Sequence, residues 1–291
     1  MSDPATKPPV LPTSRQGWQA LLDRLGIRPS KGLGQNFLFE RGIVERMVRA
    51  LGVGRDDLVL EIGPGLGILT DELLGNARQV IAVELDRRLA EHLRSVFGSE
   101  PAFRLIEGDA LTIDLAEIVD RDRPYLVAAN LPYSVGTAVL RRLLEAPHRP
   151  RRLALMVQRE VAERLVARPP EMTIVGVAAR FYAEPRIAFT VGPSVFIPPP
   201  KVESAVVLLE TRDQPPLPEE QHGRFFRIVN AGFRHKRKQL ANSIADELAA
   251  PKGDVSDWLT AAGIDPMRRA QTLDVEEWVA ITRAAPSSLV P

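Results

Sequence analysis

Cysteine is absent from the 291 residues, which excludes disulfides and thiolate metal sites and suits a reducing compartment. Histidine is scarce. His92, His148, His222 and His235 lie far apart, without the short spacings of a metal-binding helix, so no metal is expected. Charge of one sign is lacking too: 38 Lys and Arg stand against 37 Asp and Glu, for a net charge of +1. Any nucleic-acid role must therefore rest on where cations cluster rather than on their total. Long apolar runs are missing, and the opening "MSDPATKPPVLP" carries four prolines, so it is neither signal peptide nor membrane span. A flexible tail and lead-in over residues 1–27 and a soluble, cytoplasmic protein are expected.

What is present is ordinary globular composition, 45% hydrophobic and 26% charged, at a length that allows two domains of roughly 150 residues. Short apolar runs at 58–63, 79–85, 102–108, 125–130 and 153–158 read as buried strands. Amphipathic stretches such as "DRRLAEHLRSVF" separate most of them, which predicts a mostly parallel sheet covered on both faces. The runs 186–191 and 202–210 follow with no helix between them and read as an antiparallel pair closing one edge. The polar, Pro-rich segment 211–222 reads as a linker. Beyond it the pattern is helical only, with Asp254 and Asp274 as expected caps ahead of Trp258 and Trp278. The expected division is an α/β domain over 28–210 and a small all-helical domain over 215–291.

"EIGPGLGILT" (61–70) sits where a strand gives way to a helix. The dinucleotide fingerprint needs glycines at relative positions one, three and six. Here Gly63, Gly65 and Gly67 occupy one, three and five, a looser loop suited to a ligand without phosphates at the helix start. Glu61 beside it would repel phosphate and tolerate a cationic sulfonium. The next strand ends in "VELD", placing Glu84 where an acidic residue accepts ribose hydroxyls. The third leads to "EGDA", where Asp109 could accept from an adenine amine. Three successive strand ends at one sheet edge point to S-adenosylmethionine as cofactor.

The fourth strand ends in "AANLPYSVGT" (129–138). The Asn130 side chain and a carbonyl of Leu131 or Pro132 can both accept from an exocyclic amine. Such acceptors draw a delocalised nitrogen toward tetrahedral geometry and stabilise the charge that grows as it attacks a methyl group. Pro132 restricts the backbone around that carbonyl. Tyr133 offers a flat face for a base taken out of its stack.

These motifs, with "KGLGQNFL", "FIPPPKVESAVV" and "FRHKRKQLANS", stand in the order and spacing of a known family over about 28–285. The chain resembles the bacterial small-subunit ribosomal RNA adenine dimethyltransferases of the KsgA/RsmA type. The resemblance implies a Rossmann-like, seven-stranded class I methyltransferase sheet with a small all-helical C-terminal domain. It implies N6-dimethylation of two adjacent adenosines in a 3′-terminal hairpin loop of small-subunit (16S) RNA, with a role in subunit maturation. Asn36 and Leu38 would close over the donor's methionine end. Gly63 and Gly65 would lie under it, Glu84 would take the ribose, Asp109 the adenine, and Asn130 would border donor and target. Phe196 would face Tyr133 across the flipped base. Where relatives often carry a tyrosine-glycine pair, this chain has "EMTIVGV" (171–177), a helix without that pair.

RNA is expected on "RHKRK", read as helical, with Arg234, Lys236, Arg237 and Lys238 gripping phosphates. Lys31, Lys201, "RRL" (141–143) and "RPRR" (149–152) add positive charge. The partner implied is ribosomal RNA inside an assembling 30S particle, bound by a monomer. Three alternatives are weaker. Large-subunit methylases typically carry N-I-P-Y, a non-enzymatic assembly factor would not need Asn130, Tyr133 and Glu84, and a dehydrogenase needs different glycine spacing.

Overall fold

In a computed structural model the described residues are 11–28, 36–120, 123–131, 136–235 and 237–286. The strands are β1 (Phe37–Leu38), β2 (Leu58–Ile62), β3 (Gln79–Glu84), β4 (Phe103–Glu107), β5 (Tyr125–Asn130), β6 (Arg152–Gln158), β7 (Ala183–Val191), β8 (Phe196–Ile197) and β9 (Ser204–Thr211). Seven of them form one sheet in the order β4-β3-β2-β5-β6-β9-β7, and β1 pairs with β8 in a separate ladder. The five expected parallel strands lie within about two residues of their predicted bounds. β9 runs antiparallel to β6, and β7 lies outermost. What joins β7 to β9 is not a simple turn but a stretch containing β8.

Helices α1 (Arg15–Arg24), α2 (Arg41–Leu51), α3 (Ile68–Asn76), α4 (Arg87–Phe97), the single turn α5 (Leu115–Ile118) and α6 (Gly136–Glu145) alternate with the strands. Their apolar stripes explain the pairing of layers. In α4, Leu89, Leu93, Val96 and Phe97 recur at helical spacing and are buried, while Asp86 caps the first turn by accepting from the Arg88 N–H at 2.9 Å. The lead-in departs from the expectation of flexibility. α1 buries Trp18, Leu21 and Leu22 in the same core as α2 and α4, a stripe that the prolines before it obscured. Residues 1–10 lie outside the described residues.

The remaining helices are α7 (Arg159–Val166), α8 (Ile174–Tyr182), α9 (His222–Phe233), α10 (Leu240–Leu248), α11 (Lys252–Ala261) and α12 (Val275–Ala284). The chain divides into two compact units, Met1–Ala162 with Arg186–Thr211, and Glu163–Pro185 with Arg212–Pro291. The second therefore includes α8, which the chain order had assigned to the sheet domain. The reason is aromatic packing: Phe181 of α8 stacks on Phe225 of α9 with centroids 4.3 Å apart and meets Phe226 edge-on at 5.3 Å. α8 itself forms despite the missing tyrosine-glycine pair, capped by Thr173, whose hydroxyl accepts from the Gly176 N–H. Asp274 and Glu277 complete the predicted capping box on α12. Asp254 caps nothing: α11 starts earlier, after Pro251, and Asp254 lies in its first turn.

Candidate functional site

Register aligns the strand ends. Ile62 of β2 is level with Val83 of β3 on one side and Ala129 of β5 on the other. One step further, Gly63, Glu84 and Asn130 fall in a row across the carboxyl edge of the sheet, where open α/β sheets take their ligands. The Gly63 N–H still bonds the Val83 carbonyl at 3.0 Å, so the loop departs from the sheet only after this residue. Gly67 opens α3 at φ 87°, and a Cβ there would lie 2.6 Å from the Phe97 ring, so a side chain would be strained by the backbone and collide with Phe97.

A cavity at this edge is lined by Asn36, Leu38, Gly63, Gly65, Glu84, Asn130, Leu131 and Phe196 among others. Most expected site residues are thus brought together. The two-residue ladder explains how the distant ones arrive: Phe37 pairs with Ile197 and Leu38 with Phe196, and the Phe39 N–H extends the ladder to the Val195 carbonyl. Phe196 is only 1% exposed, so it is a core residue and a cavity wall at once.

Two buried glutamates differ in their surroundings. Glu84 accepts from the Gly65 N–H at 3.1 Å on one oxygen and from the Asp86 N–H at 2.9 Å on the other. Burial pushes its carboxyl up, and these main-chain donors pull it part of the way back. Glu61 is fully buried. Its Oε2 accepts from the Thr70 hydroxyl at 2.7 Å, while its Oε1 has no hydrogen-bond partner among the described residues. Burial drives this carboxyl from 4.5 up to about 8. Glu61, read from the sequence as compatible with a sulfonium, lines the cavity but had no assigned contact. Its signal was present, as a lone carboxylate inside the apolar run "LVLEI". Phe37, beside Gly65, had no such signal.

Other expectations fare differently. Asp109 is half-buried two residues beyond β4 and is not among the residues lining the cavity; its Oδ1 accepts from the Leu111 N–H at 2.8 Å. Pro132, Tyr133, Lys31 and Lys236 lie outside the described residues. The described residues of "RHKRK" are not helical. α9 ends at Phe233 and α10 begins at Leu240. Ser243 causes the break: its hydroxyl donates to the Ala231 carbonyl at 2.7 Å and accepts from the His235 N–H at 3.3 Å, intercepting the bond that would continue α9. In that turn Arg234, Arg237 and Lys238 are exposed; Arg234 lies 3.6 Å from Glu247 and Lys238 2.5 Å from Asp246. The arginines of 141–152 divide: Arg141 and Arg151 are exposed, and Arg142, Arg149 and Arg152 are half-buried. Arg141 pairs with Glu145, Arg151 with Asp57, and Arg142, Arg149 and Arg152 donate to main-chain carbonyls. Among the described residues no metal-binding cluster occurs, and no helix is long and apolar enough to cross a membrane.

A family model described as "Ribosomal RNA adenine dimethylase" matches residues 28–285. Relatives named "Ribosomal RNA small subunit methyltransferase A" include one from Dehalococcoides mccartyi, 41% identical over 258 residues and covering 89% of each chain. Another, from Moorella thermoacetica, is 40% identical over 274 residues, 91% of this chain and 95% of its own. One from Nocardia farcinica is 43% identical over 276 residues, 92% and 93%. Among solved structures, the 23S rRNA methyltransferase ErmE superposes with a TM-score of 0.69 at 27% identity, covering 86% of this chain and 99% of its own. A dimethyladenosine transferase from Plasmodium falciparum reaches 0.72 at 23% identity, covering 84% and 95%, which speaks to the fold alone.

Proposed function

The chain belongs to the ribosomal RNA adenine dimethylase family, and from that premise we propose that the sheet-edge cavity holds S-adenosylmethionine against an extruded adenine of small-subunit ribosomal RNA. The protein is an enzyme, an adenine dimethyltransferase of 16S RNA with a class I methyltransferase fold. One observation carries the site reading: donor-type groups (Gly63, Gly65, Glu84) and target-type groups (Asn130, Leu131, Phe196) line a single cavity.

The residues suit the cofactor. Bare backbone at Gly63 and Gly65 allows close approach, Glu84 retains acceptor capacity beside its two main-chain donors, and the partnerless Glu61 Oε1 is a buried acceptor suited to a cation. Bound there, S-adenosylmethionine supplies an electrophilic methyl group on a sulfonium. Asn36 and Leu38 cover its methionine end, Glu84 accepts from the ribose and Asp109 from the adenine. Asn130 Oδ1 and the carbonyl of Leu131 or Pro132 accept the hydrogens of the target N6, stabilising the charge that develops on it. Tyr133 stacks on the base, and Phe196 walls the cavity on which the base's other face packs. The methylated nitrogen is acidic enough to release its proton without a dedicated base.

The RNA substrate sits within an assembling 30S particle, engaged by a monomer in the cytoplasm, with Arg234, Lys236, Arg237 and Lys238 on phosphates. The small-subunit relatives at 40–43% identity favour this target over the large-subunit RNA of the 27% identical ErmE. The test is incubation with labelled donor and undermethylated small subunits, followed by nucleoside identification. Dimethyladenosine from the small subunit is expected. Label confined to large-subunit RNA, or donor binding without transfer, would contradict the reading.

A further inference from the structure

Arg142 is half-buried on α6, the helix that follows the Asn130–Tyr133 segment. Its two terminal nitrogens donate to the carbonyls of Leu111 and Ile113. Its Nε is buried without a hydrogen-bond partner among the described residues. The guanidinium is thus committed to two main-chain oxygens of one short turn.

That turn begins at Asp109. The Thr112 and Ile113 N–H groups both bond the Asp109 carbonyl at 2.9 Å, and the Leu111 N–H bonds its carboxylate at 2.8 Å. The bonds within the turn consume its N–H groups and leave the carbonyls of Leu111 and Ile113 pointing to α6, where Arg142 receives both. A planar fork with donors on two arms can bridge two carbonyls at once, whereas an ammonium is a single point donor.

We propose that Arg142 is a positioning residue that fixes the Asp109 turn against α6, so that the aspartate carboxylate is held in place for the donor's adenine. This rests on the reading of Asp109 as the adenine acceptor. α6 follows the segment that holds the target base, so the same helix ties the donor's adenine pocket to the target loop.

The consequence is a split in kinetics. Arg142→Ala should raise the dissociation constant for S-adenosylmethionine, measured by calorimetry, about tenfold and raise KM for the donor in parallel. The kcat at saturating donor should stay within about twofold. Arg142→Lys should recover only part of the loss. In a double-mutant cycle with Asp109→Ala the two effects should not add, because Arg142 acts through Asp109. Amide hydrogen exchange at Leu111–Ile113 should accelerate in both Arg142 variants, which keeps the test open if Arg142→Ala folds poorly. Unchanged donor affinity in the Arg142 variants, with Asp109→Ala impaired, would overturn the latch. Full additivity would overturn its action through Asp109. Donor affinity unaffected by Asp109→Ala would instead overturn the adenine reading on which it rests.

Discussion

At the sheet edge, Glu61 and Glu84 are buried carboxyl groups whose partners are a hydroxyl and fixed main-chain N–H groups. In the turn between α9 and α10, Arg234 and Lys238 are exposed charges whose partners are exposed carboxylates on α10. The contrast separates two ways of using charge. Buried groups on a register-locked edge are held in one geometry and can distinguish charge states of a small ligand. Exposed pairs are worth little individually and are screened by salt, which suits them to exchange partners with phosphates.

The sharpest break in that comparison comes at the sheet edge. Asn130→Ala should lower kcat about 10²- to 10³-fold while donor affinity stays within a few-fold, as measured by single-turnover kinetics and calorimetry. Near-normal turnover would remove Asn130 from the chemistry. Next, Glu84→Ala should weaken donor binding roughly 10- to 100-fold, the range for losing charge-assisted hydrogen bonds, with little effect on subunit affinity.

Glu61 sharpens the comparison through pH. Its carboxyl stands at about 8 in the folded chain against 4.5 ordinarily, so between those values the folded state binds more protons than the unfolded. Its contribution to stability therefore falls as pH rises through that window. A cationic donor prefers the ionised form. Its affinity should therefore rise as pH increases from about 6 to 8, by up to about tenfold per unit. Glu61→Gln should flatten both slopes, seen in thermal unfolding and in calorimetry; identical slopes in the variant would contradict the assignment.

The smallest effect is expected in the helical unit. Changing Arg237 and Lys238 together to glutamate should weaken subunit binding and reduce the salt slope by about one to two, with donor affinity unchanged. Subunit affinity that is the same at low and high salt in the wild type would remove the phosphate grip.

The same contrast explains what was legible beforehand. β2, β3 and β5 announce themselves as apolar runs leading into Gly63, Glu84 and Asn130, because an internal parallel strand is buried on both faces, whereas β4, at the sheet's edge before Asp109, is only partly buried. The ladder of β1 and β8 has only two residues per strand, too few for any period, yet it brings Leu38 and Phe196 to the site. α1 was hidden by the prolines that precede Trp18. The break at "RHKRK" depends on Ser243, eight residues beyond the His235 N–H it accepts, a contact that no local pattern encodes. α8 joined α9 through Phe181 and Phe225, a pairing that spans most of the sheet's last strands in sequence.

The most direct test is a crystal structure with S-adenosylmethionine bound. The account predicts the ribose on Glu84 and the sulfonium methyl directed at Asn130 within the cavity bounded by Glu61, Leu38 and Phe196. A donor seated elsewhere, or one whose methyl group lies many ångströms from Asn130, would contradict it.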